Sequence, residues 1–181
     1  MSGDRLPIEI EKAAMKAYNG GKLEEAIDAF QAAERAYGES GDDAKVAEMA
    51  NNRSVALLQA NRPEEALQAA IGTSLTFEEH QLPLFAAQAV GNMAAALEAL
   101  KRFEEARNHY RQCADSLGKL GAVEQQAAAL QGLSRVQLQL GQPLPAVAAL
   151  EAGLEAKSDT GFRTRLLRWL LSIPRRMTGQ H

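Results

Sequence analysis

Apolar and small residues recur along the chain at helical spacing, in pairs of amphipathic stretches separated by short polar turns. The first stretch of each pair is marked by Ile10/Ala14, Ala50/Ser54, Val90/Ala94 and Leu130/Ser134, spaced i, i+4. Ala17, Leu57 and Leu97 continue it at i+7 in the first three copies, which is the stripe of a helix and not the alternation of a strand. The second stretch centres on Ala26, Ala66, Ala106 and Ala146, again with a uniform period of 40 residues. The hydrophobic pattern therefore predicts four helical hairpins in series.

Helix starts are signalled in the same register. Gly21, Asn61, Lys101 and Gly141 occupy the turn before each second helix, and Pro63 and Pro143 stand where a first-turn proline is tolerated. Glu24-Glu25, Glu64-Glu65 and Glu104-Glu105 place negative charge at the positive end of the helix, whereas the fourth copy reads Leu144-Pro145. Small residues, Ala14, Ser54, Ala94 and Ser134 opposite Ala26, Ala66, Ala106 and Ala146, let the two helices of a hairpin approach closely. Phe30, Tyr110 and Leu150, with Ala70 as the exception, are expected to fill the space between hairpins. A lone hairpin cannot bury that face, so the units must stack.

Composition agrees. The 181 residues are 46% hydrophobic and roughly a fifth alanine, against 5% aromatic and 6 prolines, which excludes an all-β chain and predicts an all-α one. The single cysteine, Cys113, has no partner for a disulfide within the chain, which fits a cytoplasmic setting. No signal-peptide pattern opens the sequence, and no run of about 18 apolar residues occurs. The net charge of -3 is a cancellation: residues 161–181 carry five arginines and no acid, leaving -8 on the remainder.

The small–x2–apolar, turn, x4–Ala–x3–aromatic spacing resembles the tetratricopeptide repeat. The 40-residue period is similar to the variant in kinesin light chains, spindle-orientation adaptors and bacterial peptide-sensing regulators. The match runs from about residue 7 to 160, divided near 7–46, 47–86, 87–126 and 127–160. The resemblance implies a right-handed α-solenoid of four hairpins, and a concave groove lined by the first helices that binds a peptide or helical segment of a protein partner. Carried over position by position, the groove residues are Glu11, Met15, Tyr18 and Asn19, then Glu48, Asn51, Val55, Leu58 and Gln59, then Gln88, Gly91, Ala95 and Glu98, and last Gln131, Arg135, Leu138 and Gln139; Tyr18, Asn19, Asn51, Val55, Gln59, Gln88, Gln131 and Arg135 are expected to hold the partner. Glu11 and Met15 stand where a terminal-carboxylate clamp would need basic or amide groups, so no such clamp is expected. Arg53 and Arg135 admit two readings, contact with an acidic ligand or a salt bridge to Glu48 or a neighbouring acid. Asn51-Asn52 is either a donor pair or ordinary solvated polarity.

Catalytic chemistry finds no footing. His80 falls in what reads as a long turn, TFEEHQLP; His109 takes a second-helix position that is alanine in the other copies; His181 ends the sequence. None is placed beside a nucleophile. Cys113 aligns with Ala33, Thr73 and Gly153, a small packing position, and reads as a buried inert thiol. Gly20-Gly21 lacks the lysine and preceding strand of a phosphate loop. No metal-ligand spacing and no cofactor motif occur, so a noncatalytic protein is expected. The acidic body argues against nucleic acid.

The C-terminal segment is separate in character. Residues 162–173 read as a helix on which Phe162, Leu166, Trp169, Leu170 and Ile173 share an apolar arc wider than one docking surface needs, with arginines around it. A capping helix over the fourth hairpin is the first expectation. The second reading makes this segment the working part of the protein: a structural assembly factor that forms a homodimer, or a peripheral factor on an anionic membrane surface.

Overall fold

The computed structural model describes residues 5–157, and within them the chain is helical with no strand. Nine helices follow one another: α1 (Arg5–Asn19), α2 (Leu23–Ser40), α3 (Asp43–Gln59), α4 (Pro63–Ala70), α5 (Thr73–Glu79), α6 (Pro83–Ala99), α7 (Phe103–Lys119), α8 (Val123–Gln139) and α9 (Pro143–Lys157). They pack as hairpins, α1 with α2, α3 with α4 and α5, α6 with α7, and α8 with α9. The second half of each hairpin packs in turn on the first helix of the next, which makes an α-solenoid. Among the described residues no helix is long and apolar enough to cross a membrane.

The turns repeat more finely than the hairpins. Positive φ occurs at Gly21, Gly41, Asn61, Gln81, Lys101, Gly121 and Gly141, one residue every 20. Each closes a helix in the same way: the left-handed residue donates its N–H three residues back and its successor donates five back, as in Asn61 N–H to Leu58 O at 3.1 Å and Arg62 N–H to Leu57 O at 2.9 Å. That pairing satisfies carbonyls a helix end would otherwise leave open. The hairpin turns at 21, 61, 101 and 141 stand where the sequence placed them; the linking turns at 41, 81 and 121 form a second series that the sequence analysis did not single out.

The close approach within hairpins is as the small residues required. Ala14, Ala26, Ala66, Ala94 and Ala106 are fully buried. Where the first helix carries serine, the hydroxyl crosses the interface, Ser54 Oγ donating to Ala66 O and Ser134 Oγ to Ala146 O, both at 2.7 Å. Phe30 and Tyr110 are buried between hairpins as expected. Leu150, expected to fill the same space, is 43% exposed, because no further hairpin covers α9 among the described residues.

The second hairpin departs from the others. Its second half breaks at Ile71 (φ -60°, ψ 129°) and Gly72 (φ 84°, ψ -19°), a type II turn whose second central residue needs glycine's freedom. No residue is inserted: 63–79 has the length of α7. Thr73 Oγ1 caps the break by donating to Ala70 O at 2.8 Å. Two expectations are corrected. Thr73 lies in the first turn of a new helix, not midway along an old one, and TFEE completes α5, so the long turn shrinks to residues 80–82. Phe77 takes up the packing here, buried against Ala47, Ala86 and Ala89. The C-terminal segment, with Phe162, Leu166, Trp169, Leu170 and Ile173, lies outside the described residues.

Candidate functional site

The candidate surface is the face built from the first helices, α1, α3, α6 and α8, with α2 and α7 forming its floor. Most of its charges are neutralised by one another. Glu11 accepts from the Tyr37 hydroxyl and from Lys45 Nζ at 3.1 Å, and Lys45 also holds Glu48 at 3.0 Å. Farther along, Glu98 accepts from Tyr110 Oη at 2.6 Å and takes a two-pronged contact from Arg135, Nε and one terminal nitrogen each at 3.0 Å. Arg135 therefore ties α8 to α6 across the hairpin boundary. Burial, followed by the Glu11 hydrogen bond and charge, pushes the Tyr37 phenol up to about 12. Burial and then Glu98 raise that of Tyr110 further still.

Between these ion pairs lie two recesses. One, of about 160 Å³, sits between α1 and α3 over the Phe30 ring, with Met15, Tyr18, Asn52 and Val55 around it. The other, of about 230 Å³, sits between α6 and α8, with Gln88 and Asn92 on one wall, Gln125 and Ala128 on the other, and Cys113 and Leu117 below. Both combine an apolar floor with carboxamide groups at the rim.

The residues carried over to the groove divide into three groups. Tyr18 and Val55 meet in the first recess, and Gln59 Nε2 donates to the Tyr18 hydroxyl at its edge. Gln88 stands in the second recess, and Gln131 is exposed on α8. Asn19 is exposed at the end of α1. Asn51 is only 7% exposed, and its Oδ1 accepts from Asn92 Nδ2 at 2.9 Å, so it joins α3 to α6 instead of facing outward. Arg135 is occupied by Glu98. Arg53 takes the salt-bridge alternative, but with Glu34 of α2, its far guanidinium nitrogen 3.0 Å from Glu34 Oε2. Asn92, Gln125 and Cys113 were not foreseen as lining a site. Their signal lay in Gly91, which stands where other copies carry Glu11, Asn51 and Gln131 and so leaves α6 without a side chain.

Cys113 is buried as expected, and burial pushes its thiol up to about 11. His80 caps the end of α5. Among the described residues no cluster of three or more His, Cys, Asp or Glu is placed to hold a metal ion.

Residues 85–159 match the family model described as tetratricopeptide repeat. No curated protein sequence matches the chain. Among solved structures, BtubC (BKLC) from P. vanneervenii is similar at a TM-score of 0.77 and 16% identity, over all of this chain and 72% of that one. Aspartyl phosphate phosphatase F from Bacillus subtilis is similar at a TM-score of 0.74 and 14% identity, over 89% of this chain and 44% of that one. At such identities the likeness is one of fold.

Proposed function

We propose that this chain of tetratricopeptide repeats is a noncatalytic protein-interaction module that receives a peptide or helical segment of a protein partner along its first-helix face. The observation that carries the reading is the pairing of that face's charges, Glu11 and Glu48 with Lys45 and Glu98 with Arg135, beside two recesses with apolar floors. Such a surface offers apolar area and neutral hydrogen-bonding groups to a peptide backbone. Display of random peptides against the full chain is the test. Enriched peptides should lose binding to Val55→Asp and to Gln88→Ala, and keep it when the chain stops at residue 160. Peptides insensitive to both substitutions would overturn the reading.

A second reading has its own observation. The outer face of α9 leaves Leu144, Val147 and Leu154 exposed at 83%, 52% and 58%. An assembly role would use this end together with residues 161–181, by self-association or on an anionic membrane. Light scattering of the full chain against one ending at residue 160 checks it: equal monomer masses would remove the dimer version, and absence of flotation with anionic vesicles the membrane version.

A further inference from the structure

The recess between α6 and α8 owes its existence to one residue. At the position of Glu11, Asn51 and Gln131 the third hairpin has Gly91, and an ideal Cβ built there would lie 3.0 Å from Cys113 Sγ. Any longer side chain would occupy the recess itself. The opposite wall is equally small, with Ala128 facing across.

What surrounds the space selects its occupant by charge. The thiol of Cys113 is held neutral by burial, and the Tyr110 phenol is held protonated by burial and by Glu98. Glu98 and Arg135, which both contact the lining residue Tyr110, are bound to each other. None of the residues lining the recess carries a charge, so an ionised group entering here would forfeit its hydration without a counter-charge on the walls. The rim, by contrast, offers the carboxamides of Gln88 and Gln125, for which no partner occurs among the described residues, and that of Asn92, whose nitrogen gives one of its two hydrogens to Asn51. A peptide group presents the matching donor and acceptor. The volume, about 230 Å³, is below that of pockets for drug-sized ligands and suits a single side chain.

We propose that this recess is a side-chain pocket that takes one uncharged aliphatic or thioether residue of a partner peptide, while Gln88 and Gln125 hydrogen-bond the peptide groups on either side of it. The proposal deepens the reading of the first-helix face as a protein-binding surface and rests on it for biological meaning, but the pocket is testable alone.

The probe is N-acetyl-L-leucine methylamide, titrated into the isotope-labelled full chain and followed by backbone amide resonances. Saturable shifts should be confined to residues 88–92, 113–117 and 125–129, and the aspartate analogue at equal concentration should give none. Gly91→Leu, which fills the pocket from one wall, should weaken the leucine probe at least tenfold, and Ala128→Leu should do the same from the other. Absence of saturable shifts at these residues, equal response to the aspartate analogue, or a probe unaffected by a filling variant that keeps its helical circular dichroism overturns the proposal. A chain that binds the leucine probe but enriches no peptide retains the pocket and loses the interaction reading. One that enriches peptides but ignores the probe does the reverse.

Discussion

Gly132 faces the ring of Tyr110 so closely that a methyl group on its Cα would lie 2.5 Å from two of the ring carbons. The ring cannot swing aside cheaply, because its hydroxyl is fixed by Glu98 and Glu98 by Arg135. Alanine in a helix interior ordinarily gains about 1 kcal/mol over glycine. Here the overlap should reverse the sign: Gly132→Ala is expected to destabilise by up to about 2 kcal/mol, since overpacking costs reach about 3 kcal/mol against that gain. In a Tyr110→Ala background the same substitution should become stabilising. Denaturant unfolding of the four chains measures the coupling, and additive effects would show that the ring is free to move.

The hairpin turns and close helix contacts could be read because they rest on local chemistry: glycine or asparagine for a left-handed turn, Glu-Glu-Ala for a helix start, alanine where backbones touch. Gln81 has none of those signals, yet its backbone is left-handed because the stacking of α5 on α6 demands a turn there. Asn51 was placed on the correct helix, but whether its carboxamide faces solvent depends on Asn92, 41 residues away. Arg135 likewise meets Glu98 from 37 residues off. The break at Gly72 escaped notice because the 40-residue register passes through it unchanged. Local signals therefore name the fold, while the availability of each surface residue is decided by contacts between hairpins.

The seven left-handed turns are not equal in cost. A side chain bearing a Cβ is strained at positive φ, and asparagine tolerates it better than glutamine or lysine. Gln81→Gly and Lys101→Gly are each expected to stabilise by about 0.5–1 kcal/mol, roughly 1–4 °C in a chain of this size, with Asn61→Gly gaining less. Among the described residues no atom lies within 4 Å of a Cβ built on Gly41 or Gly121, so alanine there should cost only the conformational strain, about 1 kcal/mol. Thermal unfolding of the five variants tests the ordering; identical midpoints would remove it.

Tyr37 and Tyr110 make stability depend on alkaline pH. Both phenols are raised in the folded chain, Tyr37 to about 12, while an unfolded tyrosine ionises near 10. The unfolded state therefore releases its protons first, and the stability these groups contribute is full below about pH 10 and declines as the pH rises towards and beyond about 12. Thermal midpoints should fall above about pH 10, and the fall should be shallower in Tyr37→Phe and Tyr110→Phe. Phenolate absorbance at about pH 11 should also rise on adding denaturant. A wild-type slope unchanged by either substitution would overturn the assignment.

Gln137 is the clearest mismatch between residue and place. It stands where Leu57 and Leu97 fill the core of the second and third hairpins, and it is 4% exposed. Its Oε1 is buried with no hydrogen-bond partner among the described residues. An unmade hydrogen bond at a desolvated carboxamide costs about 1–3 kcal/mol, and leucine would add apolar burial without adding a heavy polar atom to satisfy. Gln137→Leu should therefore stabilise by about 1–3 kcal/mol, whereas Leu57→Gln and Leu97→Gln should each destabilise by at least as much. Denaturant midpoints of the three variants decide the matter. If Gln137→Leu lowers stability, the buried carboxamide is not the liability its position implies.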